Sequence, residues 1–109
     1  MTDPACTDHA AHTHALRSDE VLARAAVLGA ALGDPSRLRL LELLLDGRHC
    51  VSELAAESSA SLSAVSQRLK VLAHARLVVR TREGRHIYYT LADDHVRHIL
   101  NELFDHASE

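Results

Sequence analysis

Tryptophan is absent from this chain of 109 residues, and one Phe and two Tyr are its only aromatic side chains of the Phe/Trp/Tyr class. Leucine and alanine prevail instead, which points to a mostly helical protein rather than a sandwich or barrel. Cysteine is nearly absent. Cys6 and Cys50 stand far apart, so a disulfide framework is not expected and the thiols are free for metal. No apolar run is long enough to cross a bilayer. The basic start and apolar run of a signal peptide are also missing, so a cytoplasmic protein without a membrane partner is expected. No nucleophile–base pair and no phosphate loop stand out, so an enzyme is not expected. An excess of positive charge is missing as well: the formal net charge is −3. Taken whole, that argues against a nucleic-acid binder. The distribution reverses the inference. Between Gln67 and His86 lie Arg68, Lys70, Arg76, Arg80, Arg82 and Arg85, with Glu83 as the lone acid. A local basic patch is the footprint of DNA binding.

What is present is one small domain's worth of chain, 47% apolar. A helical chain this short gains stability by dimerising. Residues 1–17 have no apolar periodicity. They carry Cys6, His9, His12 and His14, and read as a flexible N-terminal arm. Residues 18–109 read as the folded unit. Ser18-Asp19-Glu20 starts a first helix bearing Val21, Leu22, Ala25, Ala26, Leu28 and Leu32, which ends near Gly33. Asp34 caps a second helix with Pro35 at its first position. Leu38, Leu40, Leu41, Leu44 and Leu45 bury it deeply, and Gly47 closes it. A short third helix spans 51–58. After the polar turn Ser59-Ala60-Ser61 a fourth runs over 62–75, burying Val65, Leu69 and Leu72. The pair forms a helix-turn-helix. Ser63, Ser66, Gln67 and Lys70 face outward, suited to base edges and phosphates, with Arg68 beside them. Residues 77–82 and 85–91 have strand composition around a two-residue turn, Glu83-Gly84. Arg80, Arg82 and Arg85 lie near the tip. The expected fold is therefore mainly α with a β-hairpin: a winged helix-turn-helix, its helix in the major groove and its wing on the neighbouring backbone or minor groove.

A last helix spans 93–109, the chain just entering it at Asp93. Val96, Ile99, Leu100, Leu103 and Ala107 make one apolar stripe. His95 and His106 point nearly the same way on its flank, yet lie roughly 16 Å apart along a straight helix. One metal ion cannot touch both, since a Zn–N bond is about 2 Å. Two copies of the helix packed antiparallel would bring the His95 end of one chain to the His106 end of the other, twice. Asp93 and His95 from one chain then join His106 and Glu109 from the other, four N/O donors that suit tetrahedral zinc. The same residues also fit a dimer helix with a merely solvated polar flank, which His98 and Glu102 share. The residues alone leave both readings open.

The runs Asp34-Pro35-Ser36-Arg37-Leu38-Arg39-Leu40-Leu41, Cys50-Val51-Ser52-Glu53-Leu54, Ser63-Ala64-Val65-Ser66-Gln67-Arg68-Leu69 and Gly84-Arg85-His86-Ile87-Tyr88-Tyr89 resemble the ArsR/SmtB family of bacterial metal-sensing repressors. The resemblance covers roughly residues 18–109. It implies a dimeric winged helix that represses metal efflux or sequestration genes and is released from operator DNA by metal. It also implies a zinc-sensor motif, matched here by Asp93-x-His95, ten residues, and His106-x-x-Glu109, and so favours the metal site over the solvated flank. A hydrogen bond from the non-metal nitrogen of His106 toward the reading helix is part of that implication. A second family site would use Cys50 and Glu53, with Cys6 and His9 or His12 from the other chain's arm. A small buried helix residue is an equal reading of Cys50. Sensors of arsenic, cadmium or lead usually carry Cys-Val-Cys where this chain has Cys50-Val51-Ser52, so Zn(II) is the expected inducer. Ni(II) or Co(II), recruiting His98 or arm histidines, is the alternative. A metal-binding protein without regulatory DNA contact is the more distant one.

Overall fold

Residues 15–109 are described by the computed structural model. Among them, five helices and one hairpin follow in the order α1 (Asp19–Leu32), α2 (Pro35–Leu44), α3 (Val51–Ser58), α4 (Leu62–His74), β1 (Val78–Glu83), β2 (His86–Leu91) and α5 (Asp94–Ala107). None of these helices is long and apolar enough to cross a membrane. The expectation for residues 1–14, including Cys6, His9, His12 and His14, lies outside the described residues.

Local chemistry sets most boundaries. Ser18, Asp34, Ser61 and Asp93 each stand before a helix in extended backbone, and each side-chain oxygen accepts an amide of the first turn at 3.0–3.2 Å. Pro35 supplies a preset φ at the start of α2. Past α2 the chain turns at Gly47, whose φ of +134° no side chain adopts comfortably. The carboxyl end of α1 is closed from a distance. The Arg37 guanidinium donates to the carbonyls of Ala31 (2.8 Å) and Ala30 (2.9 Å), a cation where the helix dipole is negative. After α4, Arg76 takes the left-handed conformation and the Leu77 amide donates back to Leu72 at 2.9 Å, a Schellman-type ending that points the chain into β1.

The core gathers Leu40, Leu41 and Leu44 of α2, Leu54 of α3, Val65, Leu69 and Leu72 of α4, Leu77, and Leu100 of α5, all essentially buried. Each contributes about 1.5–3 kcal/mol by leaving water. Leu38 and Leu45, expected deep, are half-buried at its edge, because α2 presents only the Leu40/Leu41/Leu44 side inward. Arg97 ties α5 to the end of α2 by donating to the Leu45 carbonyl at 2.7 Å.

Two expectations are corrected. The hairpin pairs Val78 with Leu91 and Glu83 with His86, so the loop is Gly84-Arg85, one residue later than Glu83-Gly84. Positive φ at Gly84 and not at Arg85 is the pattern of a type II′ turn, which wants glycine first. The apolar stripe of α5 is also not one surface. Val96 and Leu100 are buried in their own protomer and Phe104 packs half-buried beside them, whereas Ile99 (43%), Leu103 (38%) and Ala107 are exposed. At about 100° per residue, Ile99 and Leu103 are turned away from Leu100 toward the histidine flank.

Candidate metal centre and nucleic-acid interface

The two ends of α5 each carry a pair of donors. At the start, Asp93 Oδ1 lies 3.9 Å from His95 Nδ1; at the end, Glu109 Oε2 lies 4.0 Å from His106 Nδ1. The Asp93 carboxylate is held by its capping role, through the bond from the Val96 amide. Both imidazoles are almost fully exposed, at 95% and 87%. Ile99 and Leu103 lie exposed between the two pairs. Among the described residues, no three His, Cys, Asp or Glu side chains of one protomer gather as a metal site would require. Each end therefore brings together two candidate donors, and the two pairs are too far apart to meet one ion within one chain. Asp94, His95, His98 and Ile99 line one shallow recess. Glu102 is exposed on the same helix. A second recess runs between α1, the end of α4 and the start of α5, lined by Val27, His74, Asp93, His95 and Ile99 among others.

Cys50 and Glu53 come together at the start of α3. Cys50 is the residue before the helix and is half-buried, so the reading as a buried helix residue does not hold. Its amide donates to Glu53 Oε1 at 2.9 Å, and its Sγ lies 3.1 Å from Ser52 Oγ. The Glu53 carboxyl is held below its ordinary pKa, first by the Cys50 amide and next by the Cys50 side chain. Burial opposes this, and His49 and Arg48 nearby add lesser lowering effects. Cys6, His9 and His12 lie outside the described residues.

The helix-turn-helix is formed by α3 and α4, joined through Ser59 in the left-handed conformation. On α4, Ser63, Gln67 and Lys70 are exposed, and Ser66 and Arg68 are half-buried. On the wing, Arg80, Arg82 and Arg85 are exposed, and Arg82 Nε donates to the Gly84 carbonyl at 3.2 Å. Arg80 and Arg82 stand opposite Tyr89 and Ile87 and so share one face of the hairpin.

Sequence reasoning missed the linker between α2 and α3. His49 bridges to Tyr89 in both directions, the Arg48 guanidinium lies over the Tyr88 ring, and Arg48 pairs with Glu83. His49 Nδ1 is buried without a hydrogen-bond partner. A single Arg-His in a loop has no periodicity, so no local signal would have found these contacts.

A family model described as "Bacterial regulatory protein, arsR family" matches residues 34–79, which holds α2 through the first residues of the wing. The chain is similar to a transcriptional repressor SmtB homolog of Synechocystis, at 49% identity over 79 residues, 72% of this chain and 60% of that protein. The chain thus spans less than two thirds of that curated relative's length. Among solved structures it is similar to the homodimeric winged helix-turn-helix domain of a possible ArsR-family transcriptional regulator from Mycobacterium bovis. That likeness has a TM-score of 0.80 and 31% identity, over 88% of this chain and 92% of that one. It is also similar to the cadmium metal-sensor CMTR of Mycobacterium tuberculosis, with a TM-score of 0.64 and 47% identity over 72% of this chain and 81% of that one. With its helix-turn-helix, its hairpin wing and these relatives, the chain belongs to the ArsR family of bacterial regulatory proteins.

Proposed function

We propose that this chain is a metal-responsive transcriptional repressor that binds operator DNA as a homodimer in the cytoplasm and is released when Zn(II) binds. One observation carries the reading: two exposed donor pairs, Asp93/His95 and His106/Glu109, sit at opposite ends of a helix whose middle exposes Ile99 and Leu103. A two-fold axis through that middle completes both sets at once. Asp93 and His95 of one chain, with His106 and Glu109 of the partner subunit, would hold the ion, which supplies a bond between subunits. The Mycobacterium bovis relative is homodimeric, which supports a dimer here.

The donor chemistry favours zinc. Two imidazoles and two carboxylates suit a borderline ion in four-coordination, whereas soft ions want several sulfurs. The related Mycobacterium tuberculosis protein is a cadmium sensor. Here the described residues include one cysteine, Cys50, followed by Val51 and Ser52. Cys50 and Glu53, with Cys6 and His9 or His12 of the arm, form a second candidate site.

In the DNA-bound dimer, Ser63, Ser66, Gln67, Arg68 and Lys70 of each α4 face the major groove, and Arg80, Arg82 and Arg85 meet the backbone beside it. Tying the α5 helices together favours one spacing of the two reading helices, and the operator favours another. Linkage makes this reciprocal, with a coupling typically of about 1–3 kcal/mol. The decisive experiment is operator binding by fluorescence anisotropy, with and without zinc, for wild type and His95→Ala/His106→Ala. Zinc should release the first and not the second. Equal release moves sensing to Cys50 and the arm.

A second reading keeps the DNA binding and changes the inducer to Ni(II) or Co(II). It is favoured by His98, which shares a recess with Asp94 and His95 and would add a nitrogen donor. Cobalt absorption spectra separate four- from six-coordinate sites.

A further inference from the structure

The wing is held at its base by the core. Val78 and Leu91 pair there, both buried, and the Ala92 amide donates to Leu77 at 3.0 Å. Beyond Val78, all of β1 is exposed. A two-stranded hairpin left to itself is marginal in water.

The linker between α2 and α3 supplies a second hold. The His49 amide donates to the Tyr89 carbonyl at 3.1 Å, and the Tyr89 amide donates to the His49 carbonyl at 2.8 Å. This is a one-residue third strand on the outer edge of β2. Beside it the Arg48 guanidinium lies 4.1 Å from the centroid of the Tyr88 ring and pairs with the Glu83 carboxylate. Tyr88 belongs to β2 and Glu83 ends β1. One side chain thus grips both strands, close to the turn and far from the core.

The same contact bears on charge. Glu83 is the one acid between Gln67 and His86; it follows Arg82 in the strand and lies on the face of the hairpin opposite Arg80 and Arg82. An uncompensated carboxylate that close to the wing arginines would weaken their pull on a polyanion.

We propose that Arg48 is a positioning residue for DNA binding: it fixes the wing's angle against the body of the protein and masks Glu83, so that the wing arginines meet the phosphate backbone. The inference rests on the operator-binding reading above.

The test uses the full-length metal-free protein and a labelled duplex enriched from random sequence by the wild type. Failure of the wild type to enrich any duplex would count against operator binding itself. Given a duplex, Arg48→Ala should weaken binding about fivefold to tenfold, the combined size of one cation–π contact and one surface ion pair. Tyr88→Leu, which alters no charge, should lose about threefold through the stacking contact alone. Glu83→Gln placed in the Arg48→Ala background should recover part of the loss, while in the wild-type background it should gain little. That non-additivity marks a masked carboxylate. Wild-type affinity in both Arg48→Ala and Tyr88→Leu would overturn the proposal. So would an additive cycle with a salt slope lowered by about one, because Arg48 would then be touching a phosphate itself.

Discussion

Asp93 has two jobs in the structure and in the proposed function, and substitution separates them. Its Oδ1 caps α5 by accepting the Val96 amide at 3.0 Å. The same carboxylate is the candidate donor beside His95. Serine in its place keeps a capping oxygen and removes the carboxylate, while alanine removes both. Both variants lose the carboxylate's attraction to the helix N-terminus, about 0.3–1 kcal/mol. The difference between them therefore isolates the cap, about 1 kcal/mol. For a domain of this size that is a melting-temperature difference of about 4 °C between Asp93→Ser and Asp93→Ala without metal. Zinc should separate them differently. Loss of even a supporting partner of a metal ligand weakens binding about tenfold to hundredfold. Both variants should therefore lose at least tenfold in zinc affinity. At saturating zinc a tenfold loss removes about 1.4 kcal/mol of metal-dependent stabilisation per site. The assay is thermal unfolding with and without zinc, at one protein concentration because a dimer's midpoint depends on it, together with zinc competition against a chromophoric chelator. A serine variant that holds zinc as tightly as wild type removes Asp93 from the site. An alanine variant as stable as the serine variant refutes the cap.

Three further outcomes follow from the same geometry. Leu100→Ala empties a fully buried position and should cost about 2–5 kcal/mol, read as a lower urea midpoint at unchanged m-value; a cost under 1 kcal/mol would mean that α5 does not pack as described. Ile99→Glu with Leu103→Glu places charge on the exposed middle of α5 and should yield folded monomers by sedimentation velocity, whereas a persisting dimer puts the interface elsewhere. In the metal-free protein the Glu53 carboxyl sits below its ordinary pKa, so its charged form stabilises the fold above the unfolded-state value and the contribution is lost as pH falls through the folded value. Wild type should therefore exceed Glu53→Gln in stability at neutral pH, with the gap closing on acidification; a gap that stays constant with pH contradicts this.

Much of the molecule was decided by chemistry within a few residues. Caps at Ser18 and Asp34, Pro35 at a first helical position and the short α3 are all local events, and each stands where the residues placed it; Asp93, read as the start of the last helix, is instead its cap. The donor pairs are local too. Asp93 and His95 are two residues apart across the start of the helix, and His106 and Glu109 are three apart across its end, so nearness in the chain brings each pair together. The remainder depended on what packs against what. Periodicity located the apolar residues of α5 but did not divide them, because spacing cannot say that Val96 and Leu100 meet their own core while Ile99 and Leu103 face out. The hairpin loop fell one residue from its expected place because register answers to the buried Val78–Leu91 pair at the base and to the positive φ at Gly84. Arg48 meets a carboxylate 35 residues away, across an edge of the wing that forms only once β2 lies beside His49. By itself the sequence determined the elements and their donor pairs, because those forces act within a helical turn. Tertiary structure alone decided which faces meet, because a side chain's partner across the fold leaves no mark on its neighbours in the chain.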